Sequence, residues 1–151
     1  MSELRKTGLV LGLGIAIFSF AGFGPRRAAT PATRGTEALT HHIALLKNGS
    51  SQDKAAAAYW LGQQKAAAAS AIDPLVALLG DASEVNPAQY RSRTILQKMT
   101  VGEEAAAALV NIGHSAIEPL IRVLKTSPEP EARKNAAWAL GALHDTGATQ
   151  I

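Results

Sequence analysis

An all-α fold built from a repeated helical hairpin is what this sequence predicts, and three observations carry the prediction. Alanine runs stand at 55–58, 66–69 and 105–108, and alanine loses no side-chain entropy in a helix. The phrase SAI(D/E)PL is written twice, at 70–75 and at 115–120, and each copy leads into an apolar stripe. No stretch shows a strand pattern. With 151 residues, 47% hydrophobic and 18% charged, the chain is long enough for one domain with its own core and short for two.

In chain order, the first element is a hydrophobic segment. MSELRK precedes the nineteen uncharged residues TGLVLGLGIAIFSFAGFGP, and Arg26 and Arg27 follow. A basic start, an apolar run, and Ser19 and Ala21 at the −3 and −1 places describe an export signal cleaved after Ala21. The rival reading is a retained membrane anchor at 7–25, with Arg26 and Arg27 as its cationic flank. The 17 residues from Gly8 to Gly24 would span about 26 Å as a helix, a little short of a hydrocarbon core. Gly12-Leu13-Gly14 lacks the strand-turn-helix setting of a dinucleotide fingerprint, and Gly8 and Gly12 form only a bare GxxxG pair. The expected organisation is thus signal or anchor at 1–24, a flexible linker at 25–35 and a repeat domain at 36–151.

Charge follows this division. Residues 1–34 hold five Lys/Arg against one acid, whereas 35–151 hold ten against eleven. Phosphate binding needs its cations on the folded part, so no nucleic-acid partner is expected. Without cysteine there is no disulfide, thiolate nucleophile or lipoprotein acylation site.

The repeat begins with a partial unit. GTEALTHHIALLKNGS offers Thr36 as a cap, Leu39, Ile43 and Leu46 on one face, and Asn48-Gly49 as a stop. Each full unit then has two helices. Helix A ends in a small-residue phrase closed by an aliphatic residue and glycine: AAYWLG at 57–62, ALVNIG at 108–113 and AAWALG at 136–141. Helix B begins at the serine phrase, either with Ser70 or Ser115 as cap, Asp73 or Glu118 three residues on and Pro74 or Pro119 in the first turn, or with the acid itself as cap and the proline at the first helical position. Its stripes are Ile72, Leu75, Val76, Leu79 and Ile117, Leu120, Ile121, Leu124, the spacing of a helix buried on one face. NPAQYRSRTILQK at 86–98 reads as an inserted helix, and the third helix A has no following helix B.

VGEEAAAALVNIGHSAIEPLIRVLK and SPEPEARKNAAWALGALHDTGA resemble HEAT repeats, particularly the short bacterial kind known as phycobilisome-lyase-like HEAT repeats. The resemblance covers roughly 51–151. It implies an α-solenoid of two and a half to three units, incomplete at its C-terminal end, whose B helices line a concave binding surface. The departures are six extra residues between Gly62 and Pro74, the 86–98 insertion and the absent last helix B.

No catalytic constellation, cofactor site or metal site is expected. Asp145-Thr146-Gly147-Ala148 copies an aspartic-protease signature without flanking strands, and reads as a turn after a helix. Ser51-Gln52-Asp53-Lys54 matches a Ser-x-x-Lys pair without its companion motifs, and reads as a helix start with Ser51 or Asp53 as cap. His41 and His42 are neighbours about 100° apart on a helix and cannot share one ion; His114 and His144 each stand after a helix A. Tyr59, Trp60 and Trp138 are expected to pack, Trp60 being the one with some chance of exposure.

The expectation is a non-enzymatic scaffold, exported or tethered, that binds another protein. Arg122 and Lys125, off the apolar stripe, and Trp60 are its candidate contact residues. Ala136, Ala137, Leu140 and Leu143, left without a covering helix B, predict self-association through the C-terminal end or a longer array. The alternative from the family resemblance is a bilin lyase or chromophore-attachment protein.

Overall fold

A computed structural model describes residues 31–91 and 98–148; the expected signal or anchor lies outside them. Helices α1 (Pro31–Asn48), α2 (Ser51–Gln63), α3 (Ile72–Val76), α4 (Val101–Ile112), α5 (Ile117–Thr126) and α6 (Pro130–Ala148) form two layers. In one layer α2, α4 and α6 stack side by side; in the other α3 touches both α1 and α5. Three seams join the layers, α1 on α2, α3 on α4 and α5 on α6. Among the described residues this is an all-α, solenoid-like stack with one small addition, a two-residue antiparallel ladder of β1 (Glu84–Val85) and β2 (Met99–Thr100).

α1 starts at Pro31, five residues ahead of Thr36, so the expected linker end is already helical. Thr36 caps nothing: its Oγ1 donates to the Ala32 carbonyl at 3.1 Å, a bond within the helix. The stop at Asn48-Gly49 stands, with the Gly49 amide closing on the Leu45 carbonyl at 2.9 Å. Leu46 is buried, and Leu39 and Ile43 pack against the core beside it.

Capping boxes exist, but not at the repeated serine phrase. Ser50 and Asp53 make one at the start of α2, and Thr100 and Glu103 make one at the start of α4. In each, the hydroxyl takes the third helical amide while the acid takes the cap amide, so two orphan donors are satisfied. Neither Ser51 nor Asp53 is the cap residue expected for α2. Ser70 and Ser115 sit exposed in 3₁₀ segments, Lys65–Ala71 and His114–Ala116, that run straight into α3 and α5. A helix entered from a 3₁₀ turn has its first amides already bonded, so no side chain is needed there. Pro74 and Pro119 stand third in their helices, within the first turn as their chemistry requires.

The alanine run at 66–69 is not α-helical. Lys65, at φ 52°, breaks α2 from the 3₁₀ segment that holds it. By contrast Ala55, Ala57 and Ala58 and Ala105, Ala106 and Ala108 are buried in α2 and α4. They let those helices come close. A Cβ added to Gly62 would stand 3.0 Å from Ala108 Cα.

The three glycines that close the helix A phrase do three different things. Gly62 permits this close approach, and Gly113, at φ 99°, makes the turn after α4. Gly141 does neither, because α6 runs through it to Ala148. The DTGA segment is therefore the last turn of α6, not a turn after a helix.

Stripe burial holds in the first helix B, where Ile72, Leu75 and Leu79 are buried and Val76 half-buried. In the second, Leu120 is buried, Ile117 and Ile121 are half-buried, and Leu124 is 40% exposed. The difference has a local cause. α3 ends at Val76, and tight turns carry Leu79 inward beneath the start of α4; Leu124 stays on a continuous helix, at its outer face.

Candidate functional site

The insertion between the units positions everything that follows. Its expected helix over 86–98 is, in the described part, a single 3₁₀ turn at Pro87–Gln89, capped by the Asn86 side chain, with β1 before it and β2 after Lys98. Gln52 of α2 holds it at one side: Nε2 donates to the Asn86 carbonyl at 2.9 Å while Oε1 accepts the Asn86 amide at 3.1 Å. The other side is held by Glu104 of α4, which is 1% exposed. Arg91 Nη2 donates to its two oxygens at 2.6 and 2.7 Å, and the Tyr90 hydroxyl donates at 2.9 Å. The Arg91 guanidinium also lies 4.9 Å above the Tyr59 ring.

Electrostatics follow from this burial. Burial opposes the charge on Arg91, but hydrogen bonds and the field of Glu104 outweigh it and raise its pKa. Burial, and then the adjacent Glu104 charge, push the Tyr90 hydroxyl well above its ordinary 10.0. Glu104 is the residue that sequence reading missed, although a signal existed. Val101, Ala105, Ala108, Leu109 and Ile112 form an apolar stripe, and Glu104 occupies its i+3 place. A carboxylate there must bring its own partner.

Two clefts flank the insertion. The larger, about 480 Å³, lies between α4 and α6 and is lined by Lys98, Met99, Glu103, Ala107, Asn135 and Trp138, with Lys134 at its edge. Trp138 is 55% exposed. Lys98 pairs with Glu84 at 2.6 Å, and Lys134 pairs with Glu131. Hydrogen bonding to these acids raises both lysine pKa values. Buried Asn135 ties α6 to the end of the first unit, its Nδ2 donating to the Leu79 carbonyl at 2.8 Å.

The smaller cleft, about 300 Å³, lies between α1, α2 and the insertion. Trp60 lines it, stacked on His42 with centroids 3.9 Å apart and planes 8° apart, and the Tyr59 and Tyr90 rings lie 5.8 Å apart with their planes tilted by 50°. His42 Nδ1 donates to the Ala38 carbonyl at 2.8 Å, and its ring meets His41 edge to face.

The candidate contact residues do not converge. Trp60 belongs to the α1–α2 cleft, whereas Arg122 and Lys125 lie on α5, exposed and without an ion pair to a described residue. Trp138 departs from the expectation that the tryptophans pack, whereas Trp60 packs as expected. Trp138 points out while Trp60 is half-buried, because α1 covers α2 at that turn. At the C-terminal end, Ala136 and Leu143 are buried and Leu140 half-buried, since α6 packs on both α4 and α5. The apolar exposure there belongs to Ala137, as expected, and to Trp138 and Leu124.

This chain is similar to known repeats in two places. Residues 98–151 match a family model described as HEAT repeats, and residues 53–81 match one described as PBS lyase HEAT-like repeat. Both matches fall on helix A and B pairs of the stack and support a HEAT-repeat protein. No curated protein and no solved structure matches the chain.

Proposed function

We propose that this chain is a non-enzymatic, protein-binding scaffold of HEAT-like repeats, exported or held at a membrane by residues 7–25. The observation that carries the reading is Trp138. A tryptophan 55% exposed on a helix, beside Met99 and a rim of Lys98, Glu103 and Lys134, has the composition of a contact centre: an aromatic anchor within a polar border. Monomers scatter single apolar residues over their surfaces, but this one lines a cleft of about 480 Å³. The partner is another protein, and a second copy of the chain is one form it takes. Arg122 and Lys125, exposed on α5, are further contact residues in this reading, outside the lining of that cleft.

A photo-crosslinking residue placed at 138 in the native host tests this. A discrete adduct is expected from position 138 and not from the exposed Ala66 on the 3₁₀ segment. No adduct, or the same adducts from both, refutes the assignment. Mass spectrometry of the mature N-terminus separates cleavage after Ala21 from a retained anchor.

The match over 53–81 is compatible as well with a second reading, a bilin lyase or chromophore-attachment protein. Purified protein mixed with bilin decides it: an unchanged visible spectrum and no transfer remove that reading.

A further inference from the structure

The smaller cleft has a chemistry that the scaffold reading does not use. Leu45, Ala56 and Ala57 line it together with the rings of His42, Tyr59, Trp60 and Tyr90, and Asp53 is the one carboxylate among them. Asp53, Ala56, Ala57 and Trp60 follow one another at helical spacing, so the charge and the indole share one face of α2, two turns apart. Both ends of this row are held. Ser50 donates twice to Asp53 Oδ2, at 3.1 and 2.6 Å, leaving Oδ1 with no bond to a described residue. His42 stacks on one face of Trp60, and Arg91 covers one face of Tyr59 while its charge is answered by Glu104.

We infer that this cleft binds a quaternary ammonium group, taken between the Tyr59, Trp60 and Tyr90 rings with Asp53 as its counter-charge. Aromatic faces present negative charge density to a cation, and the carboxylate sets the sign of the ligand. The alkyl character of the cation follows from the apolar part of the lining, Leu45, Ala56 and Ala57. A primary ammonium or a guanidinium brings several N–H donors that must be satisfied once out of water. Leu45, Ala56 and Ala57 have no side-chain acceptor for them and their backbone lies in helix, so beyond Asp53 Oδ1 and the His42 and Tyr59 side chains such donors go unmet. A quaternary nitrogen has no N–H to satisfy, and its methyl groups bury favourably on alanine and leucine. The Ser50 hydrogen bonds hold the Asp53 carboxyl below its ordinary 3.8, so the counter-charge is complete at neutral pH. About 300 Å³ is at the small end of ligand sites, which suits a headgroup-sized cation.

Full-length protein carrying Trp138→Phe, so that emission reports Trp60 alone, is titrated with choline, with tetramethylammonium, and with 3,3-dimethylbutan-1-ol, the neutral isostere of choline. Both cations are expected to change the emission saturably, and the isostere to bind at least about tenfold more weakly. Asp53→Asn, whose side chain still accepts from Ser50, weakens choline binding about threefold to thirtyfold while circular dichroism stays unchanged. Equal binding of the isostere, or no saturable response to choline up to about 100 mM, overturns the inference without need of any cleft variant. The source of the group is read separately, with phosphatidylcholine vesicles. Association that free choline competes away assigns a lipid headgroup; choline binding without vesicle association assigns a soluble ligand. Either result sustains the site, and neither depends on Trp138 contacting a protein.

Discussion

Removing Arg91 should cost more stability than removing the charge of Glu104, although the two form one ion pair. In Arg91→Met, a carboxylate 1% exposed loses both guanidinium bonds, at 2.6 and 2.7 Å, and keeps only the Tyr90 hydroxyl. An uncompensated buried charge costs about 3–5 kcal/mol. In Glu104→Gln the acceptor shape survives, and the stranded guanidinium is 21% exposed and still lies over Tyr59. Water can reach it, so the loss is about 1–3 kcal/mol. Replacing both partners at once, Arg91→Met with Glu104→Leu, removes the stranded charge together with its partner. The double variant should fall short of the sum of its single variants by about 2–4 kcal/mol. Urea denaturation read as the midpoint at constant slope measures each value. Equal losses in the two single variants, or simple additivity in the cycle, would refute the claim that Glu104 is a desolvated anchor.

Other outcomes follow from the same packing. Leu120→Ala, at a fully buried side chain, should cost about 2–5 kcal/mol in the same assay; an unchanged midpoint would mean that the repeat register is wrong. Gly102→Ala would bring a Cβ to 2.5 Å from the Leu79 carbonyl oxygen and 2.8 Å from Asn135 Nδ2. It should lose about 1–3 kcal/mol by overpacking, and retained stability would show that α4 can slide. The raised Tyr90 pKa means that the folded state holds its proton more tightly than the unfolded state. Its contribution is therefore complete below pH 10.0 and is lost as pH rises beyond that value. Tyr90→Phe should flatten the alkaline fall in stability, and an identical profile would deny the link.

What the sequence made legible was whatever depends on one element alone. Helical periodicity placed Leu75, Leu79 and Leu120 in the core, because a stripe must be covered by something whatever the fold. It misjudged Leu124 and Trp138, because coverage depends on which helix arrives opposite, and the stripe of α5 carries no record of that. The serine phrase illustrates a different loss. Ser70 and Ser115 have the spacing of a cap, yet 3₁₀ turns satisfy the same amides first, while the working boxes at Ser50 and Thr100 follow short breaks that the repeat did not emphasise. Short strands at 84–85 and 99–100 escape any pattern search, since two residues hold no period. Nor did local spacing hint at the insertion's hold on Gln52 and Glu104, residues 34 and 13 positions from their partners.

That hold has a mechanical meaning. The α2–α4 seam is drawn tight where Gly62 meets Ala108, and the insertion ties both helices from outside; the α4–α6 seam opens into the larger cleft, and the buried bond of Asn135 runs past α4 to the Leu79 carbonyl. A stack of this kind behaves as a spring with one coil soldered. Its bending falls at the unsoldered coil, and a partner seated against Trp138 would press on the joint where the spring yields most.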